Sequence, residues 1–363
     1  MRGHPMSRSK RILVAPLDWG LGHATRCIPV ITELLERGAE VIIAADKRPL
    51  NLLRREFPSL QAVTFPGYDI EYPVNESMLR SMLRQLPSLY QAFRREHRYL
   101  ETLVRLHRID AVISDNRFGA YSRHARSVYL VHQLNILLPP HIAFGQALVS
   151  SVNRRICERY DEVWIPDHRE EPSLGGPLSH SRRLPRNAHY IGPLSRLQRT
   201  ERAKEIDVLA VLSGPEPQRT LLEERLAEQM KRTGLQCVIV RGKPEQNVTM
   251  RLAPNVLMVN SMNAAELSAA IASARMVVSR PGYSTVMDLS HTGARAIFIP
   301  TPQQTEQEHL ARSLRGQNVA YSEEQNDFDL VRALAASESF TGFTPRDHDR
   351  AALRAHIDAL LKV

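Results

Sequence analysis

The sequence predicts an α/β protein made of two βα domains of similar plan, and three observations carry that prediction. Short, continuous apolar runs such as RILVAP (Arg11–Pro16) and EVIIAA (Glu40–Ala45) alternate with longer amphipathic stretches, as in parallel strands covered by helices on both faces. The chain has 363 residues, more than one core ordinarily serves at roughly 100–200 residues per domain. Between Pro166 and Arg199 prolines and glycines accumulate, which predicts a linker with little core of its own.

In the first domain, residues 1–195, the strand Arg11–Pro16 leads through the loop Leu17–Gly22 into a helical pattern, Ala24 to Arg37, which Gly38 stops before the strand Glu40–Ala45. Further strands are expected at Leu60–Phe65, Asp110–Ser114, Ser127–Val131 and Glu162–Ile165. The basic stretch Glu76 to Arg108 reads as helix broken by Pro87. In the second domain, residues 196–363, strands are expected at Asp207–Leu212, Gln236–Arg241, Val256–Val259, Met276–Ser279 and Ala296–Pro300, with a helix from Gln218 to Thr233. A last helix, Arg346 to Lys362, is counted with the second domain, although its sequence suits packing on either. The halves show no sequence repetition that would mark a duplication.

Composition narrows the class. Hydrophobic residues at 43%, charged at 24% and aromatic at 6% exclude collagen-like, disulfide-dense and wholly disordered chains. No apolar run approaches the roughly 18 residues of a membrane span, and MRGHPMSRSK carries no long apolar leader, so a cytoplasmic protein is expected. Cys27, Cys157 and Cys237 are too far apart for CxxC pairs and are expected as buried, reduced thiols.

The formal charge of +9 is uneven, because residues 1–195 hold 27 basic and 19 acidic side chains and the remainder 21 and 20. A cationic first domain suits an anionic partner or the inner face of a membrane. Aromatics are not interleaved with its basic run, so no nucleic-acid partner is expected.

The candidate chemistry sits where predicted strands end. The loop DWGLGHATR, Asp18 to Arg26, joins the first strand to the first helix, the place where open α/β sheets hold ligands. Gly20 and Gly22 permit close backbone approach, but Thr25 stands where GxGxxG requires a third glycine, so the dinucleotide fingerprint is not met. His23 is placed to reach a bound substrate. Asp115, after another buried strand, would share that sheet edge and could orient the His23 ring. His132 again ends a strand, and with Gln133 and Asn135 would give the cleft a polar floor. In the second half, VSRPGYSTVMDLSHTGARAIFIPTPQQTEQEHLA (Val278–Ala311) brings Ser284 and Thr285 to a helix start, with Asp288 one turn on and Glu306-Gln307 opening the next helix.

RPGYSTVMD, PTPQQTEQ and the first-loop GLGH together resemble the GT-B glycosyltransferases, specifically the family 28 group that includes the peptidoglycan N-acetylglucosaminyltransferase. The resemblance implies two Rossmann-like domains facing across a cleft, the second holding a nucleotide-sugar and the first the acceptor. By it, Asp288 corresponds to the ribose-binding carboxylate, usually Glu in the family. Arg280, Gly282, Ser284 and Thr285 fall where the family contacts the diphosphate, and Glu306-Gln307 at the sugar. Ser213-Gly214 falls in the loop near the phosphates, with Pro215 replacing the usual glycine-rich continuation, while Met262 and Leu267 lie where the base is held. Ile191–Leu194 (IGPL) resembles the start of the interdomain linker.

The implied activity is inverting transfer of a hexosyl or N-acetylhexosaminyl group from a nucleoside-diphosphate sugar, by family preference a UDP-sugar, to an acceptor hydroxyl. His23 would be the base and Asp115 its partner, while Gly20, Gly22, Thr25, His132 and Asn135 would line the acceptor side. No cofactor or metal is expected: the Asp-x-Asp string Asp347-His348-Asp349 reads as a helix cap and solvated face. The acceptor, anionic or lipid-linked among the options, stays open. Two other readings stand beside this one, a nucleotide-sugar epimerase, which needs several acid/base groups around the sugar, and a non-catalytic nucleotide-sugar-binding protein, which needs no base.

Overall fold

The computed structural model describes residues 8–18, 20–67, 78–138, 144–181, 183–246, 248–345 and 350–362, with only the backbone path for 78–87 and 89. Trp19 of the first loop, Arg346 and the Asp347-His348-Asp349 string lie outside the described residues.

Two seven-stranded sheets organise the chain. The first is built from β1 (Arg11–Pro16), β2 (Glu40–Ala45), β3 (Gln61–Thr64), β4 (Ala111–Asp115), β5 (Arg126–Leu130), β6 (Glu162–Ile165) and β7 (Ala188–Tyr190), in the order β3-β2-β1-β4-β5-β6-β7. All its pairings are parallel. The connecting helices are α1 (Leu21–Glu36), α2 (Lys47–Glu56), α3 (Met78–His107) and α4 (Gln146–Cys157). Alternation along β1 explains its unbroken apolar run: Ile12 and Val14 enter the core cluster under α1, whereas Leu13 and Ala15 enter the one under α3. Both faces of the strand are covered, so neither tolerates a polar residue.

The second sheet holds β8 (Ile206–Val211), β9 (Cys237–Val240), β10 (Thr249–Ala253), β11 (Val256–Val259), β12 (Ala274–Ser279), β13 (Ala296–Phe298) and β14 (Tyr321–Ser322), ordered β10-β11-β9-β8-β12-β13-β14. It is parallel except for the β10–β11 hairpin. Its helices are α5 (Gln218–Lys231), α6 (Ala264–Ser273), α7 (Tyr283–Thr292), α8 (Thr305–Gly316) and α9 (Leu330–Ser337). Strand order reverses between β1 and β4 in one sheet and between β8 and β12 in the other. Crevices at such switch points receive ligands, and the motif loops follow these four strands.

The fold departs from expectation in three places. Helix α3 runs unbroken through Pro87. The segment Pro166–Arg199 is no bare linker: it contributes edge strand β7, and Leu178, Ile191 and Leu194 are buried in a cluster with Tyr283 and Met287 of α7. The terminal helix α10 (Ala351–Lys362) packs on the first domain, not the second with which it was counted. Its Leu353, Ile357 and Leu360 join the α1 core. Glu33 of α1, buried beneath it, receives Arg37 at 2.7 Å, Arg354 at 3.2 Å and Arg350 at 3.6 Å. A carboxylate buried to that depth needs cations, and α10 supplies Arg354 while the residue just before it supplies Arg350.

Candidate active site

The site begins at the turn into α1. Gly20 precedes the helix at φ 103°, a left-handed backbone that a side chain would strain. The Gly22 carbonyl accepts from Thr25 Oγ1 at 2.9 Å and, across the cleft, from Ser284 Oγ at 2.8 Å. His23 then faces the end of β4, where its Nδ1 lies 2.6 Å from Asp115 Oδ1. The pair is nearly closed to water, with the side chain of His23 14% exposed and that of Asp115 0%. Burial lowers the His23 pKa and Arg26 lowers it further, against the opposing pull of Asp115. Burial alone would raise Asp115, but Arg26 and His23 hold it at about 2. An anionic Asp115 at this distance favours the imidazole tautomer with its proton on Nδ1, which would leave the Nε2 lone pair available as a base.

Arg26, which the sequence reading passed over, sits one turn beyond His23 on the same helix face. It grips both oxygens of Asp115 and also approaches His132. His132 in turn reaches Glu306 at the start of α8, Nε2 to Oε1 at 2.9 Å, while Gln133 Nε2 donates to the other Glu306 oxygen at 3.1 Å. The His132 ring stacks on Tyr283, centroids 4.4 Å apart, and the Tyr283 hydroxyl donates to the Pro166 carbonyl at 3.0 Å. His23, Asp115, His132 and Glu306 therefore form one connected polar cluster spanning both domains. Burial pushes Glu306 up, but His132, His23 and Arg26 together more than offset it and the carboxyl lies below its ordinary value.

A second cluster surrounds Asp288. Its Oδ1 accepts from Ser195 Oγ at 2.6 Å, and burial pushes its carboxyl up to about 6 although Arg196 and Ser195 favour the ion. Arg196 has Nε and Nη1 buried without a hydrogen-bond partner. Both residues belong to the interdomain segment, which the motif reading did not search for side chains. The start of α7 has no side-chain cap at Gly282, so amides of the Ser284–Thr285 turn point into the cleft. Ser213 and Gly214 (φ 106°) follow β8 at the same edge, and Met262 follows β11.

Several expected contacts fall elsewhere. Arg280 is a buried strut, not a diphosphate ligand: Nη1 donates to the carbonyls of Ile299 and Pro300 at 2.9 Å each, and Nη2 to that of Gln218 and to Gln325. Asn135 does not face the cleft floor, since its amide donates to the carbonyls of Pro177 at 2.8 Å and His180 at 3.0 Å. Leu267 is a core residue of α6, its amide bonded to Asn263 within the helix. Gln307 turns back to the Thr301 amide at 2.8 Å, leaving Glu306 as the member of the pair that faces the first domain. Among the described residues no group of three or more His, Cys, Asp or Glu is placed to hold a metal ion. All three cysteines are buried and free.

Residues 209–347 match the family described as the glycosyltransferase family 28 C-terminal domain. Among solved structures, the chain is similar to the glycosyltransferase SnogD from Streptomyces nogalater, with a TM-score of 0.62 and 16% identity over 98% of this chain and 100% of that one. It is similar also to MurG of Acinetobacter baumannii, with a TM-score of 0.52 and 14% identity over 98% and 100% of the two chains. A third, SsfS6 from Streptomyces sp. SF2575, was solved complexed with thymidine diphosphate, with a TM-score of 0.54 and 15% identity over 97% and 96%. No curated protein sequence matches. The chain thus has the GT-B fold of glycosyltransferases, and its second domain is similar, over residues 209–347, to the glycosyltransferase family 28 C-terminal domain.

Proposed function

We propose that the protein is an inverting glycosyltransferase that moves a hexosyl or N-acetylhexosaminyl group from a nucleoside-diphosphate sugar, preferably a UDP-sugar, to an acceptor hydroxyl. The observation that carries this reading is the 2.6 Å contact between His23 and the buried Asp115, set across the cleft from the uncapped start of α7. His23 Nε2 takes the proton of the acceptor hydroxyl, whose oxygen attacks the anomeric carbon from the face opposite the leaving diphosphate. Asp115 stabilises the imidazolium that forms. Charge growing on the diphosphate meets the first-turn amides of α7 and the hydroxyls of Ser284 and Thr285. Asp288 accepts from the ribose hydroxyls, and Glu306 faces the sugar. The non-catalytic reading leaves the His23–Asp115 pair without a purpose.

In this scheme no metal is needed. We place the reaction in the cytoplasm, with contact to the inner face of a membrane through the first domain. There Phe144, just before α4, and Leu148 and Val152 on it, spaced four apart, are exposed by 89%, 70% and 48%.

The decisive test uses His23→Ala in a transfer assay with UDP-sugars and a chelator present. Wild-type protein should transfer sugar in chelator, and His23→Ala should lose roughly 10²-fold or more in kcat while binding the nucleotide nearly as before. Near wild-type turnover in a folded His23→Ala protein refutes the assigned base, and transfer restored only by magnesium refutes the metal-free scheme.

A further inference from the structure

Arg26 is 2% exposed and lies between the two histidines of the cleft. Its Nε and Nη2 donate to Asp115, the latter at 2.5 Å to Oδ1, and its Nη1 lies 2.6 Å from His132 Nδ1. A guanidinium has five donors and no acceptor and keeps its proton in proteins. The contact with His132 therefore has one chemical reading, in which Nδ1 is unprotonated and accepts. The His132 proton must then be on Nε2, the atom 2.9 Å from Glu306 Oε1, which it reaches as a donor. At the other end, Asp115 is held as an anion and accepts the Nδ1 proton of His23. With that proton in place, Arg26 Nη2, 2.9 Å from His23 Nδ1, neighbours the ring without donating to it.

We infer that Arg26 is a positioning residue that sets the tautomers of both His23 and His132, and so links the base to the carboxylate of Glu306 across the domain boundary. The inference deepens the transferase reading and rests on it for its kinetic consequences alone. The charged and titratable groups facing His23 are Arg26 from α1, Asp115 from β4, His132 from the turn after β5 and Glu306 from α8. Arg26 is the fixed cation among them. Its loss would leave Asp115 to draw a proton onto His23, converting a base into an imidazolium that cannot accept one.

The test is nitrogen-15 NMR of the imidazole rings, joined to kinetics. In wild-type protein His132 should carry its proton on Nε2 and His23 on Nδ1. Arg26→Gln should raise the His23 pKa by about one unit or more, moving the acidic limb of the rate profile upward and lowering kcat about 10- to 100-fold. Affinity for UDP should stay unchanged. Arg26→Lys, which keeps the charge and loses the fork, should restore the pH limb without restoring the full rate. Should Arg26→Gln not fold, the wild-type tautomers and the Lys variant carry the test. A His132 proton on Nδ1, or a folded Arg26→Gln protein with unaltered His23 titration, overturns the inference. The expected ring spectra without any sugar transfer would instead leave Arg26 in its role and refute the transferase reading.

Discussion

Asp115 is fully buried and Asp288 half-buried, and their surroundings drive them in opposite directions. Asp115, held at about 2 below its unfolded value, contributes stability that is present above pH ~4 and lost as pH falls through its folded pKa. Asp288, raised to about 6, binds its proton more tightly in the folded chain, so its contribution is full below pH ~4 and falls as pH rises through 6. The same titration should govern the nucleotide. A carboxylate accepting from ribose hydroxyls must be ionised, so UDP should bind about 10-fold more tightly at pH 7 than at pH 5. Asp288→Asn should weaken binding at pH 7 and remove this dependence in calorimetry. A pH-dependent affinity that survives in Asp288→Asn would assign the titration to another group.

Two helices act through faces their own sequences display. The Leu353, Ile357 and Leu360 stripe of α10 is buried in the first-domain core, so Ile357→Ala should cost about 2–5 kcal/mol in urea unfolding. A loss under about 0.5 kcal/mol would mean that α10 is not docked there in solution. The region of α4 shows the reverse situation, with Phe144, Leu148 and Val152 exposed among the described residues. If it meets a membrane, the double substitution Phe144→Ser and Leu148→Ser should abolish co-sedimentation with anionic vesicles while leaving the melting temperature within a degree or two. Equal sedimentation of the variant and the wild-type protein would remove this surface from the reading.

At the scale of the molecule, the sheets present their carboxyl edges to each other, and both apolar and polar side chains join the domains: Tyr283, Met287 and Leu310 enter the first-domain core cluster, and Arg55 donates to Ser261 Oγ at 2.6 Å. Glu306 receives two first-domain groups and Ser284 Oγ donates to Gly22, while the Arg48–Glu245 pair at 2.5 Å spans a more exposed part of the boundary. Exposed pairs contribute little, roughly 0–1 kcal/mol, so among the polar contacts the cluster at Glu306 should matter most for closure, beside the apolar packing of Tyr283 and Met287. Glu306→Ala should enlarge the radius of gyration in small-angle X-ray scattering and weaken UDP-sugar binding more than UDP binding. An unchanged radius together with equal losses for both ligands would show that Glu306 neither holds the domains together nor serves the sugar.

Much of this architecture was legible in the sequence because parallel strands buried on both faces demand continuous apolar runs, and RILVAP, EVIIAA and EVWI have little alternative. Since parallel strands send all their carboxyl ends to one edge, His23 and Asp115 could be placed together from strand ends alone. Of the edge strands, β3 was legible but β10 and β14 were not: β10 has an exposed start, β14 has two residues, and neither carries the apolar signal of a central strand. The sequence showed that α10 has an apolar face but not which domain receives it, because any hydrophobic partner satisfies such a face until a buried Glu33 asks for its arginines. The roles of Arg26, Arg280 and Asn135 also depended on tertiary structure. A long polar side chain takes its function from the partners that neutralise it, and Arg26 meets Asp115 across 89 residues of chain.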